Sequence, residues 1–383
     1  MVTCTQIPVT MPSDGSTLPN STIHAIIGAI LPLEWPSVDP CALLVTHHTG
    51  YANTNCVVAR PSPLSITPKE PLQVFLKING ELDGEIAVFK HLVPDKHEEA
   101  QLCHDYGQSG RGAKMYGFFQ TSDGAYGRVD EFLDARTLTP KDVEDEATRA
   151  DVARAQAAFH ALKTRRERKP VAEYYDALTG ELARYRGMEK LKRVGQGAGV
   201  PVDDVVDYDF VSRIGRIVAR LEGMRARKAW CIHDVQYMNT MLRTSTDALA
   251  PSPRRVVLID FEFVLQNYRG VDIGGHFLHK LFQWFDASSK LTGARPYSAE
   301  ERAHYCRVYA EQWNAETGDG DGGEEVGKEA ELGYMLAIAF EVHNMMNYME
   351  GEGEGEEDGM EMEALRMLFG EFVRQYERLG LEE

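Results

Sequence analysis

Cys231-Ile-His-Asp-Val-Gln-Tyr-Met-Asn239, followed about 20 residues later by Val257-Leu-Ile-Asp-Phe-Glu262, is the stretch on which the reading turns. An Asp, an Asn five residues on, and an Asp ending an apolar strand are the oxygen-bearing groups that phosphoryl transfer from ATP requires in one site. Asp234 would accept a hydrogen bond from the attacking hydroxyl, and Asn239 and Asp260 would hold Mg²⁺ through oxygen ligands. The first half alone is a weak pattern. An Asp there also serves as a turn or N-cap residue, and an Asn as a loop amide bonded to backbone. Its pairing with Ile259-Asp-Phe-Glu262 at this distance favours the chemical reading.

Upstream, His48-Thr-Gly-Tyr-Ala-Asn-Thr-Asn55 lies between two expected strands, where small and amide residues let backbone N–H groups approach phosphate; Thr54 and Asn55 are its nucleotide-side candidates. Lys77 closes the apolar run Val74-Phe-Leu-Lys, and Glu99 lies on the following helical stretch. That arrangement lets an ammonium reach nucleotide phosphates while a carboxylate holds it. A solvated lysine is the plainer reading, preferred if Asp234, Asn239 and Asp260 were absent. Val129-Asp-Glu-Phe-Leu133 falls where a strand's backbone could hydrogen-bond adenine, with Glu131 the residue named for it, and Gln236 joins the nucleotide side from the catalytic loop.

With 383 residues the chain exceeds the roughly 250-residue size at which one hydrophobic core stops growing, so two lobes are expected. Residues 41–132 read as short strands (Ala42–Thr46, Cys56–Ala59, Leu72–Ile78, Gly127–Leu133) around one helical stretch, about Glu85 to Tyr106. After Leu138 long amphipathic helices take over, such as Glu144–Lys163 and Tyr208–Arg225, interrupted by the apolar strand Arg255–Asp260. The expected boundaries are 1–133 for a nucleotide-binding lobe and 134–383 for a helical lobe carrying the catalytic loop and acceptor site.

The net charge of −18 argues against a nucleic-acid binder, which needs a basic footprint. Residues 316–331 (seven acids, one Lys) and 350–363 (eight acids, no base) hold −14 of it and are expected to be solvated, low-complexity loops. Six scattered cysteines show no metal-ligand spacing, so reduced thiols are expected. The first basic residue is Arg60 and Ile23–Leu33 is too short to span a bilayer, so neither a leader nor membrane insertion is expected, and the expected location is the cytoplasm.

Val257-Leu-Ile-Asp-Phe-Glu-Phe263, continuing through Asn267-Tyr-Arg-Gly-Val-Asp-Ile-Gly-Gly-His-Phe277, closely resembles choline/ethanolamine kinases. Lys77, Glu99, Lys114-Met-Tyr-Gly-Phe118, Glu131-Phe-Leu-Asp-Ala-Arg-Thr-Leu138 and Phe159-His-Ala-Leu-Lys163 stand in the same order, so the resemblance covers about residues 45 to 383. It implies an α+β, two-lobed, protein-kinase-like fold: a small antiparallel sheet with one helix, then a larger, mainly helical lobe. It further implies ATP and Mg²⁺ as cofactors and transfer of the γ-phosphate to the hydroxyl of an ethanolamine- or choline-like amino alcohol. Asp234 would be the base, Asn239 and Asp260 the magnesium ligands, and Glu262 a further acid beside metal or substrate.

The departures concern both ends of the site. The catalytic loop reads Ile232-His-Asp where the family usually has His-Asn-Asp, and Tyr51-Ala-Asn stands where a Gly pair is usual. His279 and Lys280 occupy positions that normally carry an acid and an aromatic. In Leu336-Ala-Ile-Ala-Phe-Glu-Val-His-Asn-Met-Met346, ungapped placement puts His343 and Met346 where choline kinases have two tryptophans. Losing both rings weakens trimethylammonium recognition by roughly one to three orders of magnitude, each cation–π contact giving about 0.5 to 2 kcal/mol. A primary ammonium calls for carboxylates, for which Glu262, Asp272 and Glu341 are candidates, with His279 and His343 in the same segments. Asp272 equally suits a structural role, capping backbone or binding Arg269, and His279 and His343 suit packing. The expected partner is a small, amine-bearing hydroxyl acceptor, with homodimerisation left open. Two alternatives stay open: a divergent member acting on another small metabolite, and a non-catalytic kinase-fold binding protein, favoured by the shifted His233 and the unusual phosphate loop.

Overall fold

The computed structural model describes residues 1–12, 17–49, 53–61, 69–80, 87–164, 166, 169–187, 202–244, 255–284, 288–351 and 359–382. Two compact units emerge: one of Met1–Asp83, Pro94–Ala135 and Arg243–Val257, the other of Gly84–Val93, Arg136–Leu242 and Leu258–Glu383.

The first unit is built on a six-stranded sheet of β1 (Cys4–Ile7), β2 (Leu44–Thr49), β3 (Thr54–Ala59), β4 (Gln73–Ile78), β5 (Met115–Thr121) and β6 (Tyr126–Glu131), in the order β1-β5-β6-β4-β3-β2. All pairings are antiparallel except β1 with β5. Alternation along β4 buries Val74 and Leu76 against Ile23, Ile26 and Ile27 of α1 (Asn20–Ile30), with Trp35, Val58 and Phe119 completing the core. Helix α1 and strand β1 are additions to the expected one-helix lobe, supplied by the first 40 residues. The helix expected from Glu85 begins only at Lys96 (α2, Lys96–Gln108). Pro94 disfavours helix at its predecessor, and Asp95 accepts from the Glu98 N–H (2.8 Å) while Glu98 accepts from the Asp95 N–H (3.2 Å), a reciprocal cap that fixes the start. Glu85 itself lies outside the described residues.

The second unit is mainly helical: α3 (Glu146–His160), α4 (Val171–Arg184), α5 (Val202–Asp207), α6 (Phe210–Gly223), α7 (Arg269–Leu278), α8 (Ala299–Thr317), α9 (Gly323–Gly351) and α10 (Gly359–Arg378). Helix α6 shows the periodicity behind such an assignment, burying Phe210, Ile214, Ile217 and Leu221 on one stripe. Strand β7 (Ala135–Thr137) lines up in a three-stranded sheet with β9 (Thr240–Arg243) and β10 (Val256–Leu258), while β8 (Lys228–Cys231) pairs antiparallel with β11 (Leu265–Tyr268).

Helix α7 is buried along its whole length, and α9 lies almost in backbone contact with it. A Cβ on Gly333 would fall 1.9 Å from the Gly270 carbonyl oxygen, and one on Gly274 2.2 Å from the Tyr334 nitrogen. Arg269, at the start of α7, is fully buried and pairs with Glu329 (2.7 Å) and Asp321 (2.7 Å). This corrects two expectations. The acidic stretch beginning at residue 316 is not simply solvated, because a buried guanidinium needs counter-charges and takes two of its acids. Arg269 is also held by these groups and not by Asp272. The stretch from 350 has residues 352–358 outside the described set, and its Glu361 is buried.

Candidate active site

Pairing of β8 with β11 sets Cys231 opposite Leu265 and delivers the chain into the loop Ile232–Gln236. Asp272, fully buried on α7, fixes that loop: its Oδ2 accepts from the Ile232 N–H (2.6 Å) and its Oδ1 from the His233 N–H (3.0 Å). Oδ2 also bonds His160 Nε2 (2.9 Å), whose Nδ1 meets the Tyr309 hydroxyl (2.6 Å). Asp272 therefore spends its carboxylate on backbone and on His160. Asp234 follows directly, with Gln236 Nε2 donating to its Oδ1 (2.8 Å) and Asn239 Nδ2 to its Oδ2 (2.8 Å). Gln236 thus serves Asp234. The second loop is tied in where the Ile259 N–H donates to the Asn239 carbonyl (3.0 Å), placing Asp260 next in the chain.

His233 and Asp260 both sit in the left-handed region, at φ 62° and 66°. Such backbone costs on the order of 1–3 kcal/mol and persists only where the surroundings enforce it, which concentrates it at working sites. Burial raises Asp234 to about 6, opposed by the Gln236 hydrogen bond and reinforced by the charge of Asp260. Burial lowers His233 to about 4, so its ring is neutral at pH 7. The donor set fits Mg²⁺: Asn239 spends its Nδ2 on Asp234, so its Oδ1 is the atom that could serve a cation, and Asp260 adds carboxylate oxygens. The negative charge of Asp260 acting on Asp234 is also what a divalent cation relieves.

Of the acceptor-side candidates, Glu262 is half-buried on the turn after Asp260. Glu341 and His279 are buried partners, Nε2 to Oε1 at 3.4 Å, and both act electrostatically on Asp234. His343 is a packing residue: its ring contacts Phe89 at 5.8 Å and Tyr185 at 6.1 Å, its Nδ1 meets Asn344, and burial lowers its pKa. Sequence reasoning passed over Trp284, whose Nε1 donates to Glu341 Oε2 (2.8 Å), and Tyr348, whose ring lies 6.1 Å from that of Trp284. Neither stands at the positions where rings were sought.

In the first unit, Lys77 on β4 and Glu99 on α2 form an ion pair at 3.9 Å. Glu99 also meets Arg128 (2.7 Å) and Lys96 (3.3 Å), and although burial opposes its ionisation these cations hold it at about 2. Arg128 in turn binds Asp130 at 2.6 Å, making a network of four buried groups with the half-buried Lys96 at its edge, where the sequence suggested a pair. The overlooked signal was two charges at alternate positions of the apolar strand Gly127-Arg-Val-Asp130. Asn55 stands opposite Lys77 across β3 and β4, with its buried Oδ1 lacking a hydrogen-bond partner among the described residues, and Thr54 beside it is exposed. Gly50, Tyr51 and Ala52 of the phosphate loop lie outside the described residues. The Glu131 side chain pairs with Arg243 (3.6 Å) and accepts from the Lys114 N–H (3.0 Å), while its own N–H donates to the Lys114 carbonyl (2.7 Å).

A six-stranded sheet unit, a helical unit, and an Asp–Asn–Asp set on two linked loops are the parts expected of a protein-kinase-like phosphotransferase. The sequence profile described as choline/ethanolamine kinase matches residues 51–349, and the chain belongs to that family, whose acceptor is an alcohol group. It is 25% identical over 291 residues to the human choline/ethanolamine kinase, covering 74% of this chain and 67% of that protein. Against mouse choline kinase alpha it is 23% identical over 252 residues, 61% of this chain and 52% of that protein. The chain thus spans about half to two thirds of these two relatives. Among solved structures, choline kinase from Cryptosporidium parvum superposes with a TM-score of 0.64 at 15% identity, over 94% of this chain and 97% of that one. Plasmodium vivax ethanolamine kinase gives 0.61 at 15% identity, over 93% and 90%. These likenesses show the fold. Among the described residues no helix is long and apolar enough to cross a membrane.

Proposed function

We propose that this protein transfers the γ-phosphate of ATP to the hydroxyl of an amino alcohol, with a primary-amine acceptor of the ethanolamine kind preferred over choline. Asp234 accepts the hydroxyl proton as the oxygen attacks the γ-phosphorus. The bond from that phosphorus to the bridging oxygen breaks, and ADP leaves with the electron pair. Asn239 and Asp260 are the residues that would hold Mg²⁺, which when bound neutralises phosphate charge. Lys77, held by Glu99, engages phosphate oxygens, with Thr54 and Asn55 as further nucleotide-side groups. Glu341, paired with His279, is the carboxylate offered to the acceptor's ammonium, with Glu262 as a second acid. Asp272 positions the loop.

The observation that carries this reading is Asp234 itself: a half-buried carboxylate aimed by two amide donors, on a loop whose backbone a fully buried carboxylate, Asp272, holds. The test is ADP release from Mg·ATP with choline, ethanolamine and its mono- and dimethyl derivatives. Release that depends on the acceptor, is greatest for ethanolamine and disappears in Asp234→Asn is the expected result. A folded Asp234→Asn protein with undiminished turnover would overturn the assignment of the base, and a kcat/KM for choline far above the others would overturn the acceptor preference.

A further inference from the structure

Beside Trp284 and Tyr348 the chain places a cation of its own. Lys290 Nζ lies 5.5 Å from the Trp284 ring centroid and 5.8 Å from that of Tyr348. The two rings meet edge to face at 66°, forming a corner that the ammonium fills. Lys290 Nζ also donates to the Trp284 carbonyl (2.6 Å) and pairs with Glu361 at 3.6 Å, and the residue is buried. Trp284 is in turn bonded to Glu341, and Glu341 to His279, the two groups that act electrostatically on Asp234. An aromatic corner with a carboxylate behind it is the environment a quaternary ammonium favours. Here a tethered primary ammonium already holds it.

We propose that Lys290 is a specificity-determining residue: it occupies the Trp284–Tyr348 corner and excludes quaternary ammonium acceptors, leaving Glu341 to serve acceptors whose ammonium carries N–H bonds. The inference rests on the reading above that the acceptor's amine binds at the Glu341 end. A tethered occupant competes at the high effective concentration of an intramolecular group. Trimethylammonium also has no N–H with which to replace the bond that the Trp284 carbonyl accepts from Lys290. Ethanolamine need not displace it.

The experiment compares wild type with Lys290→Met, which keeps an apolar stem and removes the charge. Because that change strands the buried Glu361 carboxylate, Lys290→Met/Glu361→Gln is made alongside it. Two readouts are taken. In the first, tetramethylammonium is titrated at constant ionic strength by isothermal titration calorimetry, with Lys290→Met/Trp284→Phe as control. Binding should tighten about tenfold in Lys290→Met, tighten by a smaller margin of at least about threefold in the double variant, and lose the gain without Trp284. In the second, kcat/KM for choline should rise about tenfold while that for ethanolamine stays within about threefold. Equal tetramethylammonium affinity in all folded variants, or a gain that survives loss of Trp284, overturns the proposal. Should no amino alcohol be phosphorylated by any form, the reading of function fails, while the binding titration still decides the role of Lys290.

Discussion

Replacing Asp272 by Asn tests whether the catalytic loop is held from α7. The carboxylate receives three donors, Ile232 N–H at 2.6 Å, His233 N–H at 3.0 Å and His160 Nε2 at 2.9 Å. An amide offers one oxygen. If it takes the place of Oδ2, the new NH₂ group confronts the His233 N–H, which is left buried without an acceptor. An orphaned buried donor costs about 1–3 kcal/mol, and loss of charge from the remaining bonds about 1 more, so a destabilisation of roughly 2–4 kcal/mol is expected. That lowers Tm by about 4–12 °C at the size of this unit. Asp234 is the next residue in the chain, and misplacement of a reacting group by about 1 Å costs on the order of 100-fold, so kcat should fall by about that factor. The KM for ATP should stay within about twofold if Lys77, Thr54 and Asn55 engage the nucleotide as proposed. Thermal unfolding followed by circular dichroism and steady-state ADP release supply the two numbers. A protein that loses stability yet keeps full kcat would show that Asp272 braces packing only, and unchanged Tm with unchanged kcat would refute the whole account.

Asp234→Asn should abolish turnover and yet stabilise the fold. The folded pKa is about 6 against a usual 3.8, so ionising this carboxyl costs folding free energy that is absent below the lower value and fully present above pH 6. In Mg²⁺-free buffer the variant should gain up to about 3 kcal/mol at pH 8 and only about 0.5 at pH 4, as read by urea melts; equal effects at both pH values would dispose of the electrostatic explanation. Lys77→Met should fold normally, because Glu99 keeps Arg128 at 2.7 Å and Lys96 at 3.3 Å, while ATP turnover drops by 100-fold or more. Arg128→Met should instead cost about 3–5 kcal/mol by stripping Asp130 and Glu99 of a buried partner; similar melts for the two variants would contradict the network. Gly333→Ala should cost at least about 3 kcal/mol, since the added methyl meets backbone that no rotamer change can move, and a Tm within 2 °C of wild type would speak against the close helix contact.

The loop proposed to be catalytic stands out in the sequence because phosphoryl transfer restricts residue types at fixed spacing. Asp234, Asn239 and Asp260 are close in sequence, and an apolar strand precedes the last of them, so one pattern carries most of the geometry. The acceptor end obeys no such local rule. The rings proposed for it, Trp284 and Tyr348, lie away from the positions where rings were sought: Trp284 is four residues beyond Lys280, and Tyr348 is five beyond His343 and two beyond Met346. A ring anywhere near the corner can supply a π face, so register is not conserved by the chemistry and cannot be read from it. Charges in strands were underestimated for a related reason: Arg128 and Asp130 occupy positions where burial is tolerated only through partners from α2, and those partners are 29 positions away for the Arg128–Glu99 bond.

The departure at Ile232-His-Asp has a physical reason that bears on whether the protein is a catalyst. Position 233 adopts φ 62°, a conformation in which Asn, Asp and His are several-fold enriched, so His can stand where the family usually has Asn without altering the backbone that presents Asp234. Its ring is then used for packing, 4.7 Å from Tyr174 and 5.7 Å from Phe263, and Asn267 Nδ2 lies 3.1 Å from its Nε2. Asn267 Nδ2 is a donor, so that nitrogen accepts and the proton resides on Nδ1. Two neighbours of Asp234 are therefore secured by groups from α7 and β11, the segment Asn267–Phe277 on which the resemblance is most specific. The change at position 233 is absorbed by that scaffold, and the substitution that first suggested a lost activity leaves the Asp234 carboxylate, the proposed base, aimed by Gln236 and Asn239 all the same.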